Sequence, residues 1–344
     1  MNTKIIRINK ETEYSEQLTE ASEIILAGGT VVFPTETVYG LGGNGLLADA
    51  AQKIYAAKGR PSDNPLIIHI AEPCDAEKYA FVNDVYYRLA EAFMPGPLTV
   101  IMPKRECIPL SVTGGLDTVA VRCPSHPVAH ALIKKCGVPI AAPSANISGR
   151  PSPTRAKYVE EDMLGRVDMI IDGGECEIGL ESTIVKIDGN SLTLLRPGAI
   201  TRDALLCVCD DVKIAPAVIH KLAENEKPLS PGMKYRHYAP NADLVLLDGN
   251  SDDVLSFMIN EQKSTGCAVL CYDEELSCLN PDLSIAIGTR NDLATQAKKL
   301  FTSLREADKL GAAKIYAHLP TLDGLGLALY NRMIRAAAHT IKKI

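Results

Sequence analysis

The residues best suited to chemistry lie between Lys58 and His69, in KGRPSDNPLIIH. Lys58 and Arg60 stand two apart, Pro61 and Pro65 stiffen the chain beyond them, and Ser62 adds a hydroxyl. The apolar run Leu66–Ile70 reads as a buried strand that carries His69 and fixes the end of the loop. A rigid loop with two cations and neutral donors suits a phosphate or a carboxylate; a solvated Lys/Arg turn before a core strand is the alternative. Four more strand-to-loop junctions carry similar residues. PTETVYGL (34–41) follows a strand, PIAAPSAN (139–146) ends in Ser144 and Asn146, and GLESTIV (179–185) and LLRPG (194–198) supply Ser182 and Arg196. Ser144 and Asn146, two apart in an extended segment, point the same way. Such junctions, rich in Ser, Thr, Asn and Arg, describe one polar cavity built on a sheet.

The Lys58/Arg60 pair, the Ser144/Asn146 pair, PTETVYGL, RPSDNPL, ESTIV and RPG together resemble the YrdC-like family of threonylcarbamoyl-adenylate synthases. The resemblance covers roughly the first two hundred residues. SPGMKYRHYAP (230–240) resembles the linker of the longer, two-domain members. It implies that L-threonine takes up bicarbonate or CO2 and that the resulting carbamate attacks the α-phosphate of ATP. The products are L-threonylcarbamoyladenylate and pyrophosphate, and the adenylate feeds threonylcarbamoyl modification of tRNA adenosine. The nucleophile is the substrate's own, so catalysis reduces to positioning and charge stabilisation, with Mg²⁺ accompanying ATP as cofactor.

By the resemblance, Lys58, Arg60, Ser144 and Asn146 are the catalytic set. Lys58, Ser62, Thr118, Ser144, Ser152, Arg196, Tyr235 and His237 bind ATP; Thr35, His69, Arg122, Ala142 and Ser182 hold L-threonine. No metal ligands are assigned. Arg122 suits the carboxylate as a bidentate partner, and Thr35 or Ser182 suits the amine or hydroxyl. A hydroxyl partner plus an apolar wall for the methyl would tell threonine from serine and valine. Glu36 and Glu181 suit a metal, an amine or plain structural hydrogen bonding. Thr113-Gly-Gly is either a backbone phosphate nest or a glycine turn. The basic-aromatic block around Tyr235 and His237 is either a surface-docked linker or a flap that excludes water from labile intermediates.

The elements that must position these residues alternate. Helices are expected at 15–27, 48–57, 84–93 and 127–135, and strands at 30–33, 66–70, 98–102, 119–122, 140–142, 169–172, 182–187 and 192–196. This is an α/β fold: a YrdC-like twisted mixed sheet with helices over 1–205. Prolines at 216, 228, 231 and 240 mark 206–240 as a linker, and covering the active site is one of the two roles that the resemblance leaves open for it. A smaller Rossmann-like α/β domain occupies 241–344, with strands at 244–247, 267–271, 284–287 and 313–317 and helices at 252–260, 292–310 and 325–339. It lacks a GxGxxG element, so no dinucleotide site is expected there.

Composition narrows the function classes. The 344 residues carry a formal net charge of −6, no Trp and 5% aromatics, which disfavours a base-stacking nucleic-acid platform or an anionic-membrane binder. No apolar stretch reaches membrane-span length and the N-terminus lacks a signal-peptide core, so a cytoplasmic protein is expected. Ten Cys form no CxxC pair and suit buried hydrophobes in a reducing compartment. Expected partners are L-threonine, ATP and bicarbonate, with downstream threonylcarbamoyl-transferase proteins and weak tRNA contact beyond them. A double-stranded RNA or tRNA-binding module without catalysis is the competing class. A hydrogenase-maturation carbamoyl transferase is the third, though it would need acylphosphatase and zinc-finger-like parts that this chain does not show.

Overall fold

The computed structural model describes residues 2–8, 16–220 and 237–344. The chain divides into two compact units, the first comprising 1–148, 152–177 and 181–234, the second 149–151, 178–180 and 235–344.

The first unit is built on one mixed sheet. Its strands are β1 (Lys4–Arg7), β2 (Val31–Phe33), β3 (Gly40–Asn44), β4 (Ile67–His69), β5 (Leu98–Pro103), β6 (Thr118–Arg122), β7 (Ile140–Ala142), β8 (Met169–Asp172), β9 (Thr183–Asp188), β10 (Ser191–Arg196) and β11 (Val212–Ile214). They run in the order β1-β8-β2-β3-β7-β4-β6-β5-β9-β10-β11. The helices are α1 (Gln17–Leu26), α2 (Ala48–Lys58), α3 (Asp84–Phe93), α4 (Leu110–Thr113), α5 (Pro127–Cys136), α6 (Ala156–Met163) and α7 (Arg202–Leu206). Leu18, Ala21 and Ile25 of α1 pack with Val128, Leu132 and Ile133 of α5 over Val31, Phe33, Met169 and Ile171 of the sheet. Their i, i+3, i+4 spacing buries one face of each helix.

Three corrections to the sequence reading bear on the site. Lys58 is the last residue of α2, not part of a loop; Gly59 (φ 60°) caps the helix behind it. Gly40–Asn44, where no strand was expected, is a fully buried strand between β2 and β7. Glycine weakens a strand in isolation, but here close packing demands it, because a Cβ at Gly42 would lie 2.6 Å from the Phe33 ring. The stretch from 206 is not all linker: β11 pairs in parallel with β10. The remaining linker residues 221–236, Tyr235 among them, lie outside the described residues.

The second unit is a parallel five-stranded sheet, ordered β14-β13-β15-β12-β16. Its strands are β12 (Asp243–Asp248), β13 (Ala268–Cys271), β14 (Ser284–Ala286), β15 (Lys314–His318) and β16 (Ile341–Lys343), with α8 (Ser251–Thr265), α9 (Leu293–Lys309) and α10 (Gly326–Ala336) between them. The last helix stops at Ala336 rather than His339, because Ala338 and His339 take positive φ and turn the chain into β16, which the sequence reading missed. Glu275 is buried in this unit and accepts from Tyr272 N at 3.0 Å, His318 Nε2 at 3.0 Å and Arg290 Nη2 at 3.2 Å. The His318 ring stacks on Tyr272 at 4.6 Å.

Candidate active site

Strand register aligns the polar residues of the first unit. His69 on β4 pairs with Arg122 on β6, Arg122 pairs with Thr99 on β5, Thr99 pairs with Ile184 on β9, and Ile184 pairs with Arg196 on β10. Directly paired residues share a sheet face, so His69, Arg122, Thr99 and Arg196 form one transverse row. Ser182, two residues before Ile184, joins it through a 2.7 Å hydrogen bond to Thr99 Oγ1. Arg196 donates to the Ser182 carbonyl at 3.0 Å and to its hydroxyl at 3.1 Å.

Arg122 Nη2 donates to Glu36 Oε1 at 2.6 Å, and both side chains are buried. Arg122 Nε and Glu36 Oε2 are also buried, yet neither has a hydrogen-bond partner among the described residues. Thr35 shapes the loop that presents Glu36: its hydroxyl oxygen accepts from the Thr37 and Val38 amides and lies 2.6 Å from the Val38 carbonyl. His69 is neutral in this setting. Burial, reinforced by the Arg122 charge, drives its pKa down to about 3.

A second knot holds the end of α2. Lys58 Nζ donates to the carbonyls of Ser144 (2.5 Å) and Asn146 (2.6 Å) and to Asn146 Oδ1 (3.3 Å), while Ser144 Oγ donates to Asn146 Oδ1 (2.6 Å). Ser152 Oγ donates to Glu181 Oε1 at 2.6 Å. Arg60 turns back onto the carbonyls of Asn64 (3.3 Å) and Pro65 (3.2 Å). Among the described residues of this unit, four cations are thus buried (Lys58, Arg60, Arg122, Arg196) against three buried carboxylates (Glu36, Asp162, Glu181). A chain of negative net charge therefore keeps a locally positive interior, as an anionic ligand requires.

Residues 200–338 match a family described as "Threonylcarbamoyl-AMP synthase, C-terminal domain", and residues 23–198 match one described as "Telomere recombination". Threonylcarbamoyl-AMP synthase of Pyrococcus abyssi is 42% identical over 99% of this chain and 100% of its own length. That of Bacillus subtilis is 43% identical over 94% of each. The chain belongs to the threonylcarbamoyl-AMP synthase family. A solved member, the P. abyssi protein complexed with L-threonine, superposes with a TM-score of 0.90 at 42% identity, covering 99% of this chain and 100% of that one.

Within this family, the residues read from sequence fall into groups. His69, Arg122, Ser182 and Arg196 meet along the row, and Lys58, Ser144 and Asn146 meet at the end of α2. Ala142 closes β7 opposite Ile67 of β4. Thr118 opens β6 half-buried, Ser62 is exposed on its turn, and Ser152 is tied to Glu181. His237 belongs to the second unit, buried beside Tyr238, whose ring stacks on Phe301. Thr113 bonds to the Leu116 carbonyl and Gly114 caps α4, which is the glycine turn rather than a nest. Thr99 went unread, because a lone threonine inside LTVIMP carries only a strand signal. The cue was register: β5 lies beside β6 directly opposite Arg122.

Proposed function

We propose that the chain, as a member of the threonylcarbamoyl-AMP synthase family, joins L-threonine, CO2 or bicarbonate and ATP into L-threonylcarbamoyladenylate, using the row around Arg122. The supporting observation is the pair of unpartnered buried atoms, Arg122 Nε and Glu36 Oε2. A buried donor and a buried acceptor without partners each cost free energy. An α-amino acid answers both at once, its carboxylate on the guanidinium and its amine on Glu36. Ala142 at the end of β7 and Ser182, bonded to the Thr99 that pairs with Arg122, are taken as its walls, and Thr35 fixes the loop that carries Glu36. Neutral His69 adds a polar edge without a second charge to compete for the carboxylate.

The amine nitrogen adds to CO2 and gives up a proton, forming the carbamate. A carbamate oxygen then attacks the α-phosphorus of ATP, and the bond from that phosphorus to the pyrophosphate oxygen breaks. Lys58 and Arg196, with the hydroxyls of Thr118 and Ser62, hold the phosphates, and Ser144 and Ser152 turn to them from Asn146 Oδ1 and Glu181 Oε1 when ATP binds. Arg60, turned onto carbonyls, stiffens the turn after α2. Tyr235 and His237 come from the segment assigned to nucleotide contact. Mg²⁺ would arrive with ATP, held by phosphate oxygens and water, and would neutralise phosphate charge when bound; Asn146 Oδ1 already accepts from Lys58 Nζ and Ser144 Oγ and does not suit a direct ligand. The adenylate then passes to a transferase that modifies tRNA.

Pyrophosphate release from ATP by the purified chain tests the reading. Release that requires both L-threonine and bicarbonate is expected. Release indifferent to threonine, or none from folded protein, would overturn it.

A further inference from the structure

Hydrogen counting at Thr99 exposes a donor that the protein does not use internally. Thr99 and Ser182 are both fully buried and bond to each other at 2.7 Å. Each hydroxyl carries one hydrogen and two acceptor sites. Ser182 Oγ already accepts from Arg196 Nη2 at 3.1 Å. One hydrogen of the pair fills the mutual bond, and the other has no acceptor among the hydrogen bonds of either residue. A cation donating to Ser182 makes the serine the better donor, and hydrogen bonds in a chain polarise one another in one direction. The order is therefore Arg196 to Ser182 to Thr99, which leaves the spare hydrogen on Thr99. Thr99 faces Arg122 directly across β5 and β6.

We infer that Thr99 is a further substrate-binding residue, donating its hydroxyl hydrogen to the anionic substrate oxygen held at Arg122. This rests on the amino-acid reading of the Arg122–Glu36 site. The oxygen belongs either to the carboxylate of L-threonine or to the carbamate formed from its amine. The chain gives Ser182 a different part from amine acceptor: it relays the Arg196 charge to Thr99.

The test combines Thr99→Val, which keeps the shape and removes the hydroxyl, with Thr99→Ser, Ser182→Ala and the Thr99→Val/Ser182→Ala double variant. Steady-state pyrophosphate release and the rise in Tm caused by L-threonine alone are measured on each. Thr99→Val is expected to lose ~10-fold or more in kcat/KM for L-threonine, with Thr99→Ser within ~3-fold of wild type. The double variant should be no worse than its worse parent, because either substitution breaks the same chain. A rise in KM for threonine, with the Tm increment lost, assigns the oxygen to the carboxylate; a fall in kcat with that increment kept assigns it to the carbamate. Wild-type kinetics in Thr99→Val, or losses that multiply in the double variant, would overturn the inference. So would a drop in ligand-free Tm with unchanged kinetics, the mark of a purely structural hydroxyl. Wild-type protein without threonine-dependent release would instead sink the underlying reading, a separate result; the Tm increment with L-threonine would then decide the role of Thr99.

Discussion

Both units bury a carboxylate against an arginine, and they do so to opposite ends. In the second unit Glu275 is answered by a backbone amide, a histidine and an arginine, and its hydrogen bonds hold it below the usual carboxylate range although burial works the other way. In the first, Glu36 and Arg122 meet at one bond each and keep Oε2 and Nε unanswered. A closed network rigidifies the structure around it, whereas a half-answered one persists where a ligand completes it. The difference separates a carboxylate that serves the fold from one that the proposed substrate would complete.

The largest break in that comparison comes at Arg122. Arg122→Ala is expected to cut pyrophosphate release by ~100-fold or more and to cost about 3–5 kcal/mol of stability by stranding Glu36. Removing Glu36 as well should return part of the stability, read by denaturant melts, and none of the activity. At the closed network, Glu275→Ala should cost about 3 kcal/mol by leaving His318 and Arg290 without their acceptor, while turnover per folded molecule stays at the wild-type level.

A smaller effect arises from His69. Its folded pKa, near 3, lies below its unfolded value, so the unfolded chain binds the proton first. Its contribution to stability is complete above about pH 6.5 and declines as the pH falls toward 3. The His69→Gln variant should show a flatter Tm profile over that range than the wild type. The smallest effect is chemical: Cys74, Cys107, Cys207 and Cys278 should react with a thiol reagent in the native protein, and the six buried cysteines only after unfolding. Burial pushes the Cys123 thiol up to about 12, which keeps its reactive thiolate scarce.

The residues behind these predictions were unequally legible in the sequence. The places of Arg122 and His69 at strand ends could be read because apolar runs announce β4 and β6, while their roles came from the resemblance. Thr99 could not, since its meaning lies in which strand neighbours β5, and pairing across a mixed sheet leaves no local pattern. The strand β3 was hidden for a different reason: glycine scores as a turn former, and only the Phe33 ring and α2 pressing from outside make it sheet. In the second unit Glu275 sits in an acidic DEEL run that reads as solvated surface, and its burial comes from a histidine 43 residues away.

That glycine strand also sets how deep a charge can be sunk. A Cβ at Gly43 would stand 3.3 Å from both Ala50 and Ile54 of α2, so the helix rests on bare backbone there. Lys58 is the far end of the same helix. A methyl at 43 would lift this rod by a few tenths of an ångström, carrying the ammonium away from the Ser144 and Asn146 carbonyls that receive it. The seat of the Lys58 ammonium is thus tuned by atoms that are missing, at a position away from the lysine itself.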